Sequence, residues 1–261
     1  PPRSTLFPYT TLFRSGLGVF LVLRRFAMIG EGLAHVGFAA VALGLLSGLS
    51  PIAIAVPLVM AASLGILKLG EKTVLYGDTA IALVAALAVA CGILLASISS
   101  GFNIDLFSYL FGSILAISGM EVILSVVLSI IVGIVLVLFY HDLFAITYDE
   151  DYAKVSGVKT DSINQVLILL TALTVTLGIR VVGTLLVSSL IIFPAVTALQ
   201  ISRGFRSTIV IAIICSIISI VLGIIISFFM NLPTGATIVI INFALFLISL
   251  IYSRVIKRAA S

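Results

Sequence analysis

Residues 209–230 read IVIAIICSIISIVLGIIISFFM, twenty-two positions without a charge or a proline. An α-helix rises about 1.5 Å per residue, so about 20 apolar residues cross the roughly 30 Å hydrocarbon core of a bilayer. A helix also pairs its own backbone N–H and C=O groups, which lipid cannot do for it. The stretch is therefore read as a transmembrane helix. Outward from it, comparable apolar runs occupy 28–46, 51–67, 80–98, 122–139, 166–179, 181–199 and 238–251, giving eight in all.

Only short polar breaks separate these runs: Gly70-Glu71-Lys72, Asp149-Glu150-Asp151, Ser202-Arg203-Gly204, Asn231-Leu232-Pro233 and the tail at 254–258. None holds a soluble domain. The composition agrees: 62% of the 261 residues are hydrophobic and 9% charged, with a mean hydropathy of +1.38, far outside the range of soluble domains. The expected fold is all-α, a polytopic transmembrane bundle of about eight to nine spans. The net charge of +4 fits basic loops on one side of a membrane, and no basic run is long enough to follow a phosphate backbone, so a nucleic-acid partner is not expected. Cys91 and Cys215 lie inside apolar runs, where cysteine packs as a small hydrophobe, and no CxxC pair is present.

Short cytoplasmic loops carry the excess of Lys and Arg. That rule puts Arg24-Arg25, Lys68/Lys72, Lys154/Lys159, Arg203/Arg206 and Arg254/Lys257/Arg258 inside. Two runs separate each successive pair of these loops, so the topology closes with a cytoplasmic carboxyl terminus. A full crossing at 102–118 would put Lys154 and Lys159 outside; that segment is read as a re-entrant or interfacial helix on the external side. Arg180 falls at the external end of its run, where it snorkels to the interface or meets an acidic group.

The amino terminus reads differently. Residues 1–15, PPRSTLFPYTTLFRS, lack the regions of a signal peptide, and TLFPYTTLFRS resembles the in-frame translation of a sequencing-library adapter. They are read as non-native and set aside. The apolar stretch 16–23 is too short to span, so the first helix is expected to be cut short.

Within Gly30-Glu31-Gly32-Leu33-Ala34-His35, Glu31 and His35 stand four residues apart at the start of an apolar run. That spacing is about one helical turn, which puts both on one helix face. Ionisable groups in a membrane helix are costly and face a cavity, pathway or partner. A carboxylate with an imidazole suits zinc, manganese or iron, and it suits a proton relay. The pair equally fits a helix-end carboxylate beside interfacial water and a histidine bonded to a neighbouring helix. Asp78 and His141 fall at helix ends where solvation is the simpler account. Gly183, Ser188, Ser189, Pro194 and Ala195 make one run rich in small residues, with Pro194 freeing a carbonyl near residue 190, which serves helix packing or lines a cavity.

The longest polar stretch, 140–165, contains Asp149-Glu150-Asp151-Tyr152-Ala153-Lys154-Val155-Ser156-Gly157. Acidic groups at its start and Gly157 at its end suit a short helix along the membrane, acids near its positive end and glycine closing it. It is either a docking surface or a solvated connection.

Three blocks in order resemble the zinc and manganese uptake permeases of the ATP-binding-cassette superfamily. The first runs from Gly18-Val19-Phe20-Leu21-Val22-Leu23-Arg24-Arg25 through Ile29-Gly30-Glu31-Gly32-Leu33-Ala34-His35, against a family pattern G-x-F-x-V-x-R-R then I-G-D-A-L-x-H-A. The second is Asp105-Leu106-Phe107-Ser108-Tyr109-Leu110-Phe111-Gly112. The third extends from Val182-Gly183-Thr184 to Pro194-Ala195-Val196-Thr197-Ala198. The likeness covers 16–253 and makes 16–261 a single permease domain. It departs at two places. Glu31 stands where the family has Asp, with a longer arm for the same oxygen donor. Gly32 stands where it has Ala, which lowers helix propensity and allows bending or close backbone approach.

The resemblance implies a homodimer in a bacterial inner membrane, a cytoplasmic ATPase and an external metal-binding protein. It puts Glu31 and His35 on the ion path. It makes Asp149, Glu150, Asp151, Ala153 and Gly157, within a segment of about 142–161, the part that presses on the ATPase. The chain has no GxxxxGK[ST] loop, so ATP hydrolysis belongs to a partner and the chain is a transport subunit, not an enzyme. No permanently bound cofactor is implied; Zn2+, or Mn2+ or Fe2+, is cargo, with zinc preferred because histidine favours it. A secondary carrier driven by protons or sodium is the alternative, and a structural scaffold a third reading that leaves the motif unexplained.

Overall fold

The computed structural model describes residues 7–72, 77–98 and 119–259, which are helical almost throughout, with no strand among the described residues. The helices are α1 (Phe7–Leu23), α2 (Ile29–Ser47), α3 (Pro51–Lys72), α4 (Gly77–Ile98), α5 (Gly119–Leu138), α6 (Tyr140–Tyr148), α7 (Glu150–Val155), α8 (Thr160–Val182), α9 (Thr184–Ile201), α10 (Phe205–Met230) and α11 (Thr234–Ala259). Seven of the apolar runs each fall on one helix to within a residue, and the eighth, 181–199, straddles the break at Gly183 between α8 and α9. Six helices are long and apolar enough to cross a membrane, or seven if α5 and α6, bent by 68° at Phe139, count as one broken span; Leu186–Ile201 adds a shorter apolar stretch. The expected re-entrant segment at 102–118, with Asp105, lies outside the described residues.

Among the six spanning helices, two are the most enclosed. The spanning windows of α2 and α8 are 61% and 67% buried, against 17–28% for α3, α4, α10 and α11. One group packs α2 on α3 and α4, with α8 against α3; a second packs α1, α9, α10 and α11 together; α2 and α8 both reach α9 and join the groups. Without a hydrophobic force between helices in lipid, close packing has to hold such a bundle. Small residues provide it. A Cβ at Gly18 would stand 2.1 Å from the Ile191 carbonyl oxygen, so α1 and α9 touch backbone to backbone. A Cβ at Gly92 of α4 would meet the Phe38 ring at 2.6 Å. Gly32 likewise faces Ile81 Cγ2 at 2.5 Å, so close approach to α4, rather than a bend, is what this glycine serves within an unbroken α2.

Polar side chains inside the bundle mostly bond to their own helix. On α8 the hydroxyls of Thr171, Thr174 and Thr176 donate to the carbonyls of Leu167, Leu170 and Ala172 at 2.8, 2.6 and 2.7 Å. Between α10 and α11, Ser219 Oγ donates to Asn242 Oδ1 at 2.7 Å. Asn242 Nδ2 and Ser216 Oγ are buried there without a partner.

Candidate functional site

The polar pair is positioned by the way α2 is packed. Ile29, Gly30, Gly32, Leu33, Ala34, Val36, Gly37, Ala39 and Ala40 are all buried, because the glycines and alanines let α3, α4, α8 and α9 close around the helix. What remains open is a stripe at spacings of three and four: Met28 and Glu31 exposed, His35 and Phe38 half-buried. Glu31 and His35 therefore share one face, as the spacing predicts. Among the described residues no side-chain hydrogen bond or ion pair joins either of them. A carboxylate and an imidazole on the one open face of a central membrane helix provide an oxygen and a nitrogen donor with lone pairs to spare. They do not complete a cage: no group of three or more His, Cys, Asp or Glu clusters for a metal among the described residues. Asp78 and His141 are both exposed, on α4 and α6, and neither joins the pair.

The second region is built around α7. Asp149 sits in extended backbone just before the helix, and its Oδ1 accepts from the Tyr152 backbone N–H at 2.9 Å, a side-chain cap on the helix start. At the other end Gly157 adopts φ +89°, a conformation that disfavours side chains, and Val158 N donates back to Ala153 O at 3.0 Å. Between the ends, Ala153 is fully buried against the bundle while Tyr152 and Val155 are 69% and 89% exposed, and Tyr148, at the end of α6 just before, is 86% exposed. Asp149 and Asp151 are exposed as well. The result is a short capped helix, with one buried alanine, that presents a tyrosine, a valine and carboxylates outward beside the exposed Tyr148 of α6.

Glu150 turns inward instead. Its Oε2 accepts from Arg24 Nη2 at 3.0 Å, its Oε1 accepts from Asn164 Nδ2 at 2.9 Å, and Asn164 Oδ1 in turn accepts from Arg24 Nη1. The Arg24 side chain is 6% exposed and that of Glu150 48%. Burial pulls the Arg24 pKa below its usual value, and the Glu150 carboxylate works against that pull. Sequence reasoning uses Arg24 only as a marker of sidedness and passes over Asn164. The one available signal was an arginine at the end of an apolar run, because the pairing itself spans 126 and 140 residues.

A bundle of membrane-spanning helices with an open polar face on a central helix and a capped surface helix at its edge is the architecture of a transport permease. The chain belongs to the ABC 3 transport family, whose profile matches residues 9–253. It is 33% identical over 240 residues to the high-affinity zinc uptake system membrane protein ZnuB of Haemophilus influenzae, covering 92% of each chain. It is 29% identical over 237 residues to the manganese transport system membrane protein MntC of Listeria monocytogenes, covering 91% of this chain and 84% of that one. Among solved structures, PsaBC from Streptococcus pneumoniae in complex with Fab superposes with a TM-score of 0.82 at 26% identity, over 95% of this chain and 89% of the other. The protein is thus a membrane permease of a metal ABC transporter.

Proposed function

We propose that this permease carries a divalent transition metal into a bacterial cytoplasm, zinc before manganese or iron, and that Glu31 and His35 contact the ion on its way. The observation that carries the reading is the stripe of α2 left open by its neighbours: along its first turns, where the other faces are buried, an exposed carboxylate and a half-buried imidazole stand one turn apart. A group of that kind in lipid is costly without a polar partner or an ion. Two donors leave an ion under-coordinated, which suits a transit position more than a storage site. A second copy of the chain facing this stripe supplies the missing donors, so the working unit is a homodimer. The α7 segment, with Asp149, Glu150, Asp151, Ala153 and Gly157, receives the cytoplasmic ATPase, its exposed tyrosines and valine forming the contact. An external metal-binding protein delivers the ion, and the carboxyl terminus lies in the cytoplasm. Residues 16–261 make up the permease domain, and 1–15 are foreign to it.

Zinc is favoured over manganese by the imidazole donor. The test is radioactive zinc uptake into vesicles that hold the permease with its neighbouring ATPase and binding protein. Uptake that requires ATP hydrolysis, survives an uncoupler, falls with His35→Ala and is competed by unlabelled zinc more than by manganese supports the reading. Uptake indifferent to ATP but lost with the proton or sodium gradient overturns it in favour of a secondary carrier. Stronger competition by manganese overturns the choice of ion alone.

A further inference from the structure

We propose that Arg24, Glu150 and Asn164 form the link through which movement of the α7 segment reaches the Glu31–His35 face of α2, an inference that rests on the ATP-driven reading above. The three side chains close a ring: Arg24 donates to both partners, and Asn164 donates to Glu150, so each holds the other two in register. A planar guanidinium with fixed donor directions suits such a double engagement in a way a lysine does not. The ring joins three separate elements: the turn after α1, the first residue of α7, and α8 one turn from its start.

The geometry beyond Arg24 explains why α2 follows. Phe26 N donates to Leu21 O at 2.9 Å and Arg25 N to Val22 O at 3.2 Å, with Arg25 at φ +60°. This is a helix-ending motif with two backward bonds, and it needs a left-handed residue that is here not glycine. Ile29 N then bonds Phe26 O at 3.1 Å, and Glu31 N and Gly32 N both bond Met28 O, at 3.1 and 3.0 Å. Backbone bonds thus tie Arg25, Phe26, Ile29 and Glu31 in succession, so only the short turn at Ala27 and Met28 lies between the ring and the start of α2. On the other side, α7 has only Ala153 buried, with Tyr148, Tyr152 and Val155 free to engage a partner. A push on α7 thus has a single ionic handle, Glu150, by which to move the turn leading into α2. Arg24 acts as a positioning residue through this ring and touches no ion.

The test uses the assembled transporter in proteoliposomes and reads ATP hydrolysis and metal uptake together, for Arg24→Gln and for the exchange Arg24→Glu with Glu150→Arg. In the exchange Asn164 serves either order by turning its amide, which has a donor and an acceptor end. The expected result for Arg24→Gln is a fall of about tenfold in ions moved per ATP hydrolysed, in the usual range for coupling between sites, with hydrolysis retained. The exchange restores the ratio. A proportional fall of hydrolysis and uptake, with lower yield of assembled complex, or an exchange that restores nothing, makes the ring a fold staple and overturns the proposal. Wild-type complexes that hydrolyse ATP without moving metal overturn the parent reading instead, and the two failures are told apart by the wild-type measurement alone.

Discussion

Adding one methyl group at Gly18 tests the packing on which the bundle rests. A Cβ there falls 2.1 Å from the Ile191 carbonyl oxygen, 3.0 Å from its carbonyl carbon and 3.2 Å from its Cα, and contacts under 3.0 Å do not occur without something moving. The obstacle is backbone on the far side, so no rotamer relieves it; α1 and α9 must part by about 1 Å, at a cost of about 1–3 kcal/mol for overpacking. The separation also loosens Phe20, Leu186 and Leu190, all within 1% of full burial. Gly65 of α3 is the control, since a Cβ there meets nothing within 4 Å; alanine at that position gains helix propensity, by up to about 1 kcal/mol. The same Gly→Ala change thus has opposite signs at two sites. Purified protein in detergent, heated and followed by the fraction that stays monodisperse, is expected to show a midpoint lower by several degrees for Gly18→Ala and unchanged or higher for Gly65→Ala. Equal midpoints for the two variants would refute the close approach of α1 to α9.

Three other outcomes follow from the structure. Asp149→Ala removes the side-chain cap of α7 and should cost about 1 kcal/mol locally, read as faster amide exchange at Tyr152 with exchange in α8 unchanged; slow exchange throughout would mean the cap is dispensable. Asn242→Leu loses one hydrogen bond to Ser219 but also relieves a buried, unpaired Nδ2, so stability should move by less than about 1 kcal/mol; a large loss in thermal midpoint would show that water or another group satisfies that amide. Glu31→Gln keeps the shape and removes the charge, and metal uptake by the assembled transporter should fall at least tenfold if the carboxylate meets the ion, whereas unaltered uptake would remove Glu31 from the path.

The helices were legible because uninterrupted apolar runs of membrane length have few other physical solutions. Residues 209–230 became α10 with the same last residue, Met230. The break between the runs at 166–179 and 181–199 was read at Arg180, three residues before the one at Gly183, where φ is +82°. At Phe139 the end of an apolar run was legible but the 68° bend was not: no proline or glycine marks it, and the direction of α6 is set by packing of Tyr140 and Phe144 on Phe205, at the start of α10, at 5.9 and 5.0 Å. The face shared by Glu31 and His35 could be read from spacing, since helical periodicity is local. Its openness could not, because that depends on which neighbours Gly32 and Gly92 admit. The joining of Arg24, Glu150 and Asn164 escaped for the same reason: nothing in the residues around 24 names a partner at 150 or 164.

The three threonines of α8 bear on how the chain enters its membrane. A helix delivered singly into lipid has no neighbours to satisfy its polar side chains, and each unmet group raises the barrier to leaving the insertion machinery. Thr171, Thr174 and Thr176 already bond to carbonyls of their own helix. The threonines of the segment destined for the middle of the bundle are therefore satisfied before any other helix arrives, and that stretch can wait in lipid for its neighbours; Asn164, one turn from the start, still needs groups from elsewhere.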